Sequence, residues 1–170
     1  CYFSYDTKIE TKVVIEPNVN IRKNVVIKSG SIIKSFSDLE GVIVNKDCSI
    51  GPHARIRPNS KIEKNCKIGN YVEIKNSIIG NNTSISHLSY VGDTKVGSEV
   101  NIGAGCITCN YDGVKKNNTY IGSKSLIGSN SSLIAPVKIG NNVTIGAGSV
   151  INKDIPNNKL AVRRSNLKIY

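Results

Sequence analysis

The 170-residue chain contains no Met and no Trp, and only two Phe, seven Tyr and two His. With Cys1 rather than Met at its start, it reads as a piece of a longer or processed product. A core without Trp and with so few other rings must be packed from Ile, Val and Leu, residues that favour strands. Acidic residues are also scarce: 12 Asp and Glu stand against 23 Lys and Arg, a formal net charge of +11 and an isoelectric point near 9.5. Such a surface raises the local concentration of anionic partners, be they phosphorylated metabolites, nucleic acid or an anionic membrane. No apolar run approaches the ~20 residues of a spanning helix. The opening CYFSYDTKIE lacks the basic end and apolar stretch of a secretory signal, so the chain is expected to be soluble and unsecreted.

Further absences narrow the chemistry. Five cysteines, an odd number, in a chain without an export signal point to reduced thiols. Cys106 and Cys109 form a C-x-x-C with no second pair or nearby His, and two histidines cannot make a three-His catalytic zinc site, so no metal is expected. Nucleic acid is set aside as a partner because few aromatics are available to stack bases and no nucleic-acid module is recognisable. No membrane partner is expected either.

What the sequence has in abundance is a period of six. Aliphatic residues recur as Ile9, Ile15, Ile21, Ile27, Ile33 and Leu39, then one residue out of phase as Val44, Ile50, Ile56, Ile62, Ile68 and Ile74. Ile79, Ile85 and Val91 follow, then Val96 and Ile102 after another slip, and finally Ile121, Ile127, Leu133, Ile139, Ile145 and Ile151. Six is not a helical period but is a multiple of two, so every sixth side chain keeps one inward direction along short strands. Gly often follows the aliphatic residue and Asn or Asp cluster between, residues that bend the backbone through conformations closed to most others. The fold class is therefore all-β, a single-stranded solenoid of hexapeptide repeats over residues 1–155, three repeats to a coil.

The rhythm breaks twice. Between Ile102 and Ile121 the spacing is nineteen, and an inserted loop is expected over about 109–118, CNYDGVKKNN. After Ile151 the ladder stops, and residues 156–170 read as a short C-terminal tail outside the solenoid.

Read residue by residue, His87 and His53 each fit a surface or structural role as well as a general base at neutral pH. Arg57 and Lys75 fit a solvated basic surface. The strings GPHARIRP (51–58), NYVEIKN (70–76), HLSYVGD (87–93), VNIGAGCITCNYDG (100–113) and IGAGSV (145–150) say more when taken together. In this order they resemble the acetyltransferase domain of the bacterial bifunctional N-acetylglucosamine-1-phosphate uridylyltransferase/glucosamine-1-phosphate acetyltransferases. Two positions depart from the family pattern: His53 stands where an aromatic is frequent, and Cys106 replaces a Thr.

That resemblance implies a left-handed parallel β-helix, a cytoplasmic homotrimer with sites between subunits, and acetyl transfer from acetyl-CoA to the amine of glucosamine-1-phosphate. By matched position, His87 is the expected catalytic base, and Arg57, Lys75, Tyr90 and Asn101 the expected acceptor site. Ala104, Asn110, Tyr111, Lys116, Ser129, Ala147 and Arg164 are expected to bind acetyl-CoA, with Glu73 an accessory candidate that orients or polarises the site. The uridylyltransferase domain that precedes this one in the family is expected to be absent, since no Gly-rich nucleotide loop is found. Two readings compete with this one: another hexapeptide acyltransferase with a different acceptor, and a non-catalytic solenoid scaffold.

Overall fold

The structure, a computed structural model, describes residues 1–163. Every strand is two to four residues long, and the strands stack into three parallel sheets of nine, eight and nine members that form the faces of a triangular prism. Sequence neighbours fall on successive faces, so each strand pairs with the one three places on, about a coil later: Arg55 opposes Glu73 and Lys67 opposes Ser84. This is the parallel β-solenoid of about nine turns that the period of six requires. At ~4.8 Å per coil it rises roughly 40 Å. No helix occurs among the described residues.

The hexad ladder is the core. Ile21, Ile27, Ile33, Leu39, Ile50, Ile56, Ile62, Ile68, Ile74, Ile79 and Ile85 are fully buried. Ile9 and Ile15, at the first coil, are not, because no coil of the described residues stacks beneath them. Small side chains fill the corners between faces in vertical columns, for example Ser37, Ala54, Val72, Ser89 and Cys106. Most corners turn through a residue of positive φ, many of them Asn, such as Asn59, Asn65, Asn76 and Asn82. Asn tolerates the left-handed region better than other residues with a side chain, which explains its clusters in the sequence.

The one-residue slips in the ladder have a single location. Leu39 to Val44, Ile74 to Ile79 and Val91 to Val96 all cross the edge between the first face and the second, where Gly41, Asn76 and Asp93 turn the chain. The inserted loop leaves from this same edge, between Ile107–Cys109 on the first face and Thr119–Ile121 on the second. Ile155, at the end of the expected solenoid, bridges Ile139, and within the stretch expected as a tail Leu160–Ala161 pairs with Thr144–Ile145 as the last strand of the third face. Leu160 is exposed, so the hexad burial pattern that marks the other strands is missing here.

Candidate active site

His87 ends the strand Ser84–His87 at the edge between the third and first faces, and its ring is exposed. Its backbone opposes that of Asn70 one coil below, and its Nδ1 lies 2.6 Å from Asn70 Oδ1. An amide oxygen only accepts, so in the neutral ring this contact places the proton on Nδ1 and leaves Nε2 with a free lone pair. Asn70 thus selects the tautomer a general base needs. It was not among the sequence-derived site residues.

Above His87 the edge continues in small residues. Gly105 N donates to His87 O, Asn130 N to Ala104 O and Gly148 N to Ser129 O, a series that stacks Ala104 and then Ser129 over the histidine. Ala147 lies one coil higher, and a Cβ at Gly128 would overlap its backbone nitrogen, so only glycine permits that approach. Three of the expected donor residues therefore form a vertical column of small residues along this edge that starts at the base and rises three coils, about 14 Å.

The adjoining first face carries the charges. Arg57 donates to Glu73 Oε1 at 2.9 Å, while Arg55 lies 3.6 Å from the other oxygen of the same carboxylate. Glu73 opposes Tyr90 in the next coil, and Lys75 opposes Gly92. Contact with the Lys116 amine, then desolvation, then the charges of Lys116 and Arg57 hold Lys75 below the ordinary lysine pKa, with nearby Asp93 opposing them. Three cationic groups, Arg57, Lys75 and Lys116, so converge at one place, an arrangement suited to a doubly charged anion.

Not every expected residue falls where its role would put it. Lys116, expected with the donor, sits against Lys75. Asn110 is buried one coil above Tyr90, donating to its hydroxyl at 3.3 Å. Tyr111 is exposed on the loop and donates to Gly113 O. Asn101 opposes Ser84 on the third face, away from Arg57, Lys75 and Tyr90 on the first. Arg164 lies outside the described residues. His53, the departure from the family pattern, is stacked between Phe36 and Tyr71 at centroid distances of 4.9 and 5.0 Å. Cys106 is buried, its thiol pushed up by desolvation and directed at Gly128 O, 3.1 Å away. No group of three or more metal-ligating side chains occurs among the described residues.

The loop is ordered by its own acid. Asp112 accepts the backbone N–H groups of Val114 and Lys115 and the side-chain amide of Asn117. The Lys115 amide, followed by that of Val114 and by Asn117, lowers its pKa from 3.8 to about 2. A carboxylate with a depressed pKa stabilises the turn fully above its ordinary value and loses that contribution as pH falls through the lowered one. In an NMR pH titration, the Val114 and Lys115 amide signals are therefore expected to hold their folded positions down to pH ~4 and to collapse through pH ~2. Collapse of both already complete at pH 4 would show that Asp112 does not hold the turn.

Comparison with known proteins agrees with the geometry. Residues 39–115 match the family model of the GMPPB C-terminal domain, and residues 118–153 match that of the bacterial transferase hexapeptide, six repeats. The bifunctional protein GlmU of Fervidobacterium nodosum is 56% identical over 87 residues, 51% of this chain and 19% of that protein. GlmU of Desulfitobacterium hafniense is 57% identical over 90 residues, 53% of this chain and 20% of that one. These alignments span about a fifth of the length of those relatives. Among solved structures, LpxA from Acinetobacter baumannii superposes with a TM-score of 0.69 at 19% identity, covering 96% of this chain and 69% of that one. LpxA of Bacteroides fragilis, a UDP-N-acetylglucosamine acyltransferase, gives 0.62 at 20% identity, covering 91% and 69%. The fold is a left-handed parallel β-helix, and the chain is similar to the C-terminal region of GlmU.

Proposed function

We propose that this GlmU-like region transfers the acetyl group of acetyl-CoA to the amine of glucosamine-1-phosphate, giving N-acetylglucosamine-1-phosphate, a step toward UDP-N-acetylglucosamine. The observation that carries this reading is a pair of features on the borders of one face, the histidine at its edge with the third face and the cations toward its edge with the second. His87, held by Asn70 with Nε2 free, adjoins the face on which Arg57, Lys75 and Lys116 converge.

The three cations anchor the acceptor's phosphate, with Arg57 offering a planar fork and the lysines point charges. Tyr90, its hydroxyl proton free to point outward, donates to an acceptor oxygen. Nε2 of His87 removes a proton from the acceptor ammonium, or from the amine as it attacks the thioester carbonyl. The carbonyl oxygen takes up negative charge as the new C–N bond forms, and a backbone N–H near Ala104 or Ser129 is the proposed donor to it. Collapse breaks the C–S bond, and the imidazolium returns its proton to the leaving thiolate. The column of Ala104, Ser129 and Ala147 lines the slot proposed for the donor's extended arm, since bulkier side chains there would project into its path.

Asn101 lies on the third face, so a site that uses it together with Arg57, Lys75 and Tyr90 draws it from a second copy, in keeping with a homotrimer. No helix of the described residues is long and apolar enough to cross a membrane. A cytoplasmic setting, where both substrates are made, accords with the reading.

Free thiol released from acetyl-CoA tests it, with glucosamine-1-phosphate as acceptor and glucosamine and serine as controls. Release that depends on the sugar phosphate supports reaction, acceptor and phosphate recognition together. Equal release with unphosphorylated glucosamine or with serine would reject the acceptor, and none with any acceptor would reject the reaction.

A further inference from the structure

Asp93 is the buried carboxylate of the first face's outer edge, 7% exposed and turned through φ 50°. It stands one coil below the point where the inserted loop departs. Its two oxygens accept the side-chain amides of Asn76, from the coil beneath, and Asn110, the first residue of the loop. Its backbone carbonyl accepts the N–H of Thr119, the first residue after the loop. One residue thus holds both stems.

The consequence reaches the charged face through Asn110. Its side-chain nitrogen has two hydrogens, one for Asp93 Oδ2 and one for Tyr90 Oη at 3.3 Å. Tyr90 Oη, accepting from Asn110, keeps its own proton to donate away from the prism. Gly92 makes the overlap achievable, since a Cβ there would collide with both the Tyr90 hydroxyl and the Asn110 amide. The same loop returns Lys116 to Lys75.

Resting on the function proposed above, we infer that Asp93 is a positioning residue for acceptor binding. It clamps the loop that carries Lys116, and through Asn110 it aims the Tyr90 hydroxyl at an oxygen of the acceptor phosphate. Neutralising it in place leaves an amide that accepts from one neighbour and turns N–H groups toward the other. Such a defect at a buried hydrogen-bond hub is costly.

Asp93→Asn in the full chain is expected to raise the KM for glucosamine-1-phosphate about tenfold or more, the loss typical of a hydrogen bond to a charged partner. The KM for acetyl-CoA and kcat are expected to stay within about threefold. Because Asp93 acts through Tyr90, Asp93→Asn combined with Tyr90→Phe is expected to cost less than the two separate changes multiplied. A fall in kcat with unchanged acceptor KM, or strict multiplicativity, overturns the inference. If Asp93→Asn does not fold, Asn110→Ala breaks the same link and is expected to raise the acceptor KM likewise; an unchanged acceptor KM in it overturns the inference. Hydrogen exchange across residues 110–118 is read on the same variants regardless of turnover. Faster exchange than in the parent supports the clamp, and unchanged exchange overturns it even if the parent releases no thiol, an outcome that would count separately against the function proposed above.

Discussion

Replacing His87 by Ala is expected to lower kcat about 10²–10⁴-fold while the solenoid stays folded, the range that a general base contributes. The fold should survive because the ring is exposed and its hydrogen-bond partner is the single amide of Asn70. No second imidazole can take over. The other histidine, His53, is locked between Phe36 and Tyr71 on lower coils of the same edge. Asn70 gives this expectation its content, because it leaves Nε2 unprotonated and facing solvent in the neutral ring. Single-turnover thiol release, with thermal unfolding as the check on integrity, decides the matter. Turnover retained within threefold in a folded variant removes His87 from the proton transfer.

The parts of this site that were legible in the sequence are those set by spacing along the chain. The hexad ladder gave the buried column from Ile21 to Ile151, and the nineteen-residue gap gave the loop, because both depend on which residues sit a fixed number of steps apart. Contacts between coils are a different matter. Asn70 and His87 are seventeen residues apart, and neither hexad spacing nor residue type singles out Asn70 until the coil length is known. Asp93 lies inside a string that carried the family resemblance, yet its role is a matter of burial and of two loop stems meeting. That becomes visible only when Asn110 and Thr119 are placed around it. Lys116 shows the reverse. Resemblance placed it with the donor, and the short return of the loop, bridged between Tyr111 and Lys116, sets it against Lys75. The final strand escaped notice because Leu160 is exposed and Pro156 interrupts the pattern, while backbone pairing with Thr144–Ile145 needs neither a buried ladder residue nor a hexad.

The charged face yields the second large effect. Arg57→Ala is expected to lower kcat/KM for the acceptor about 10–150-fold, the equivalent of one charge-assisted hydrogen bond of about 1.5–3 kcal/mol. Acetyl-CoA affinity should stay unchanged, since the donor slot lies higher on the neighbouring edge. Arg57 is chosen over Lys75 for a physical reason. Lys75 already contends with Lys116, so its removal relieves a like-charge contact and offsets part of the loss. Removing Arg57 relieves only its smaller repulsion of Lys75, and it frees one oxygen of Glu73, a carboxylate 2.9 Å away that would then face the incoming phosphate. Arg55, at 3.6 Å from the other oxygen and more exposed, screens that charge weakly. The double variant Arg57→Ala/Glu73→Ala should therefore recover part of the acceptor efficiency that Arg57→Ala loses, because the repulsive carboxylate leaves with its partner. A double variant no better than the single would mean that Glu73 does not face the phosphate. Unchanged acceptor efficiency in Arg57→Ala would place the anion elsewhere on the prism.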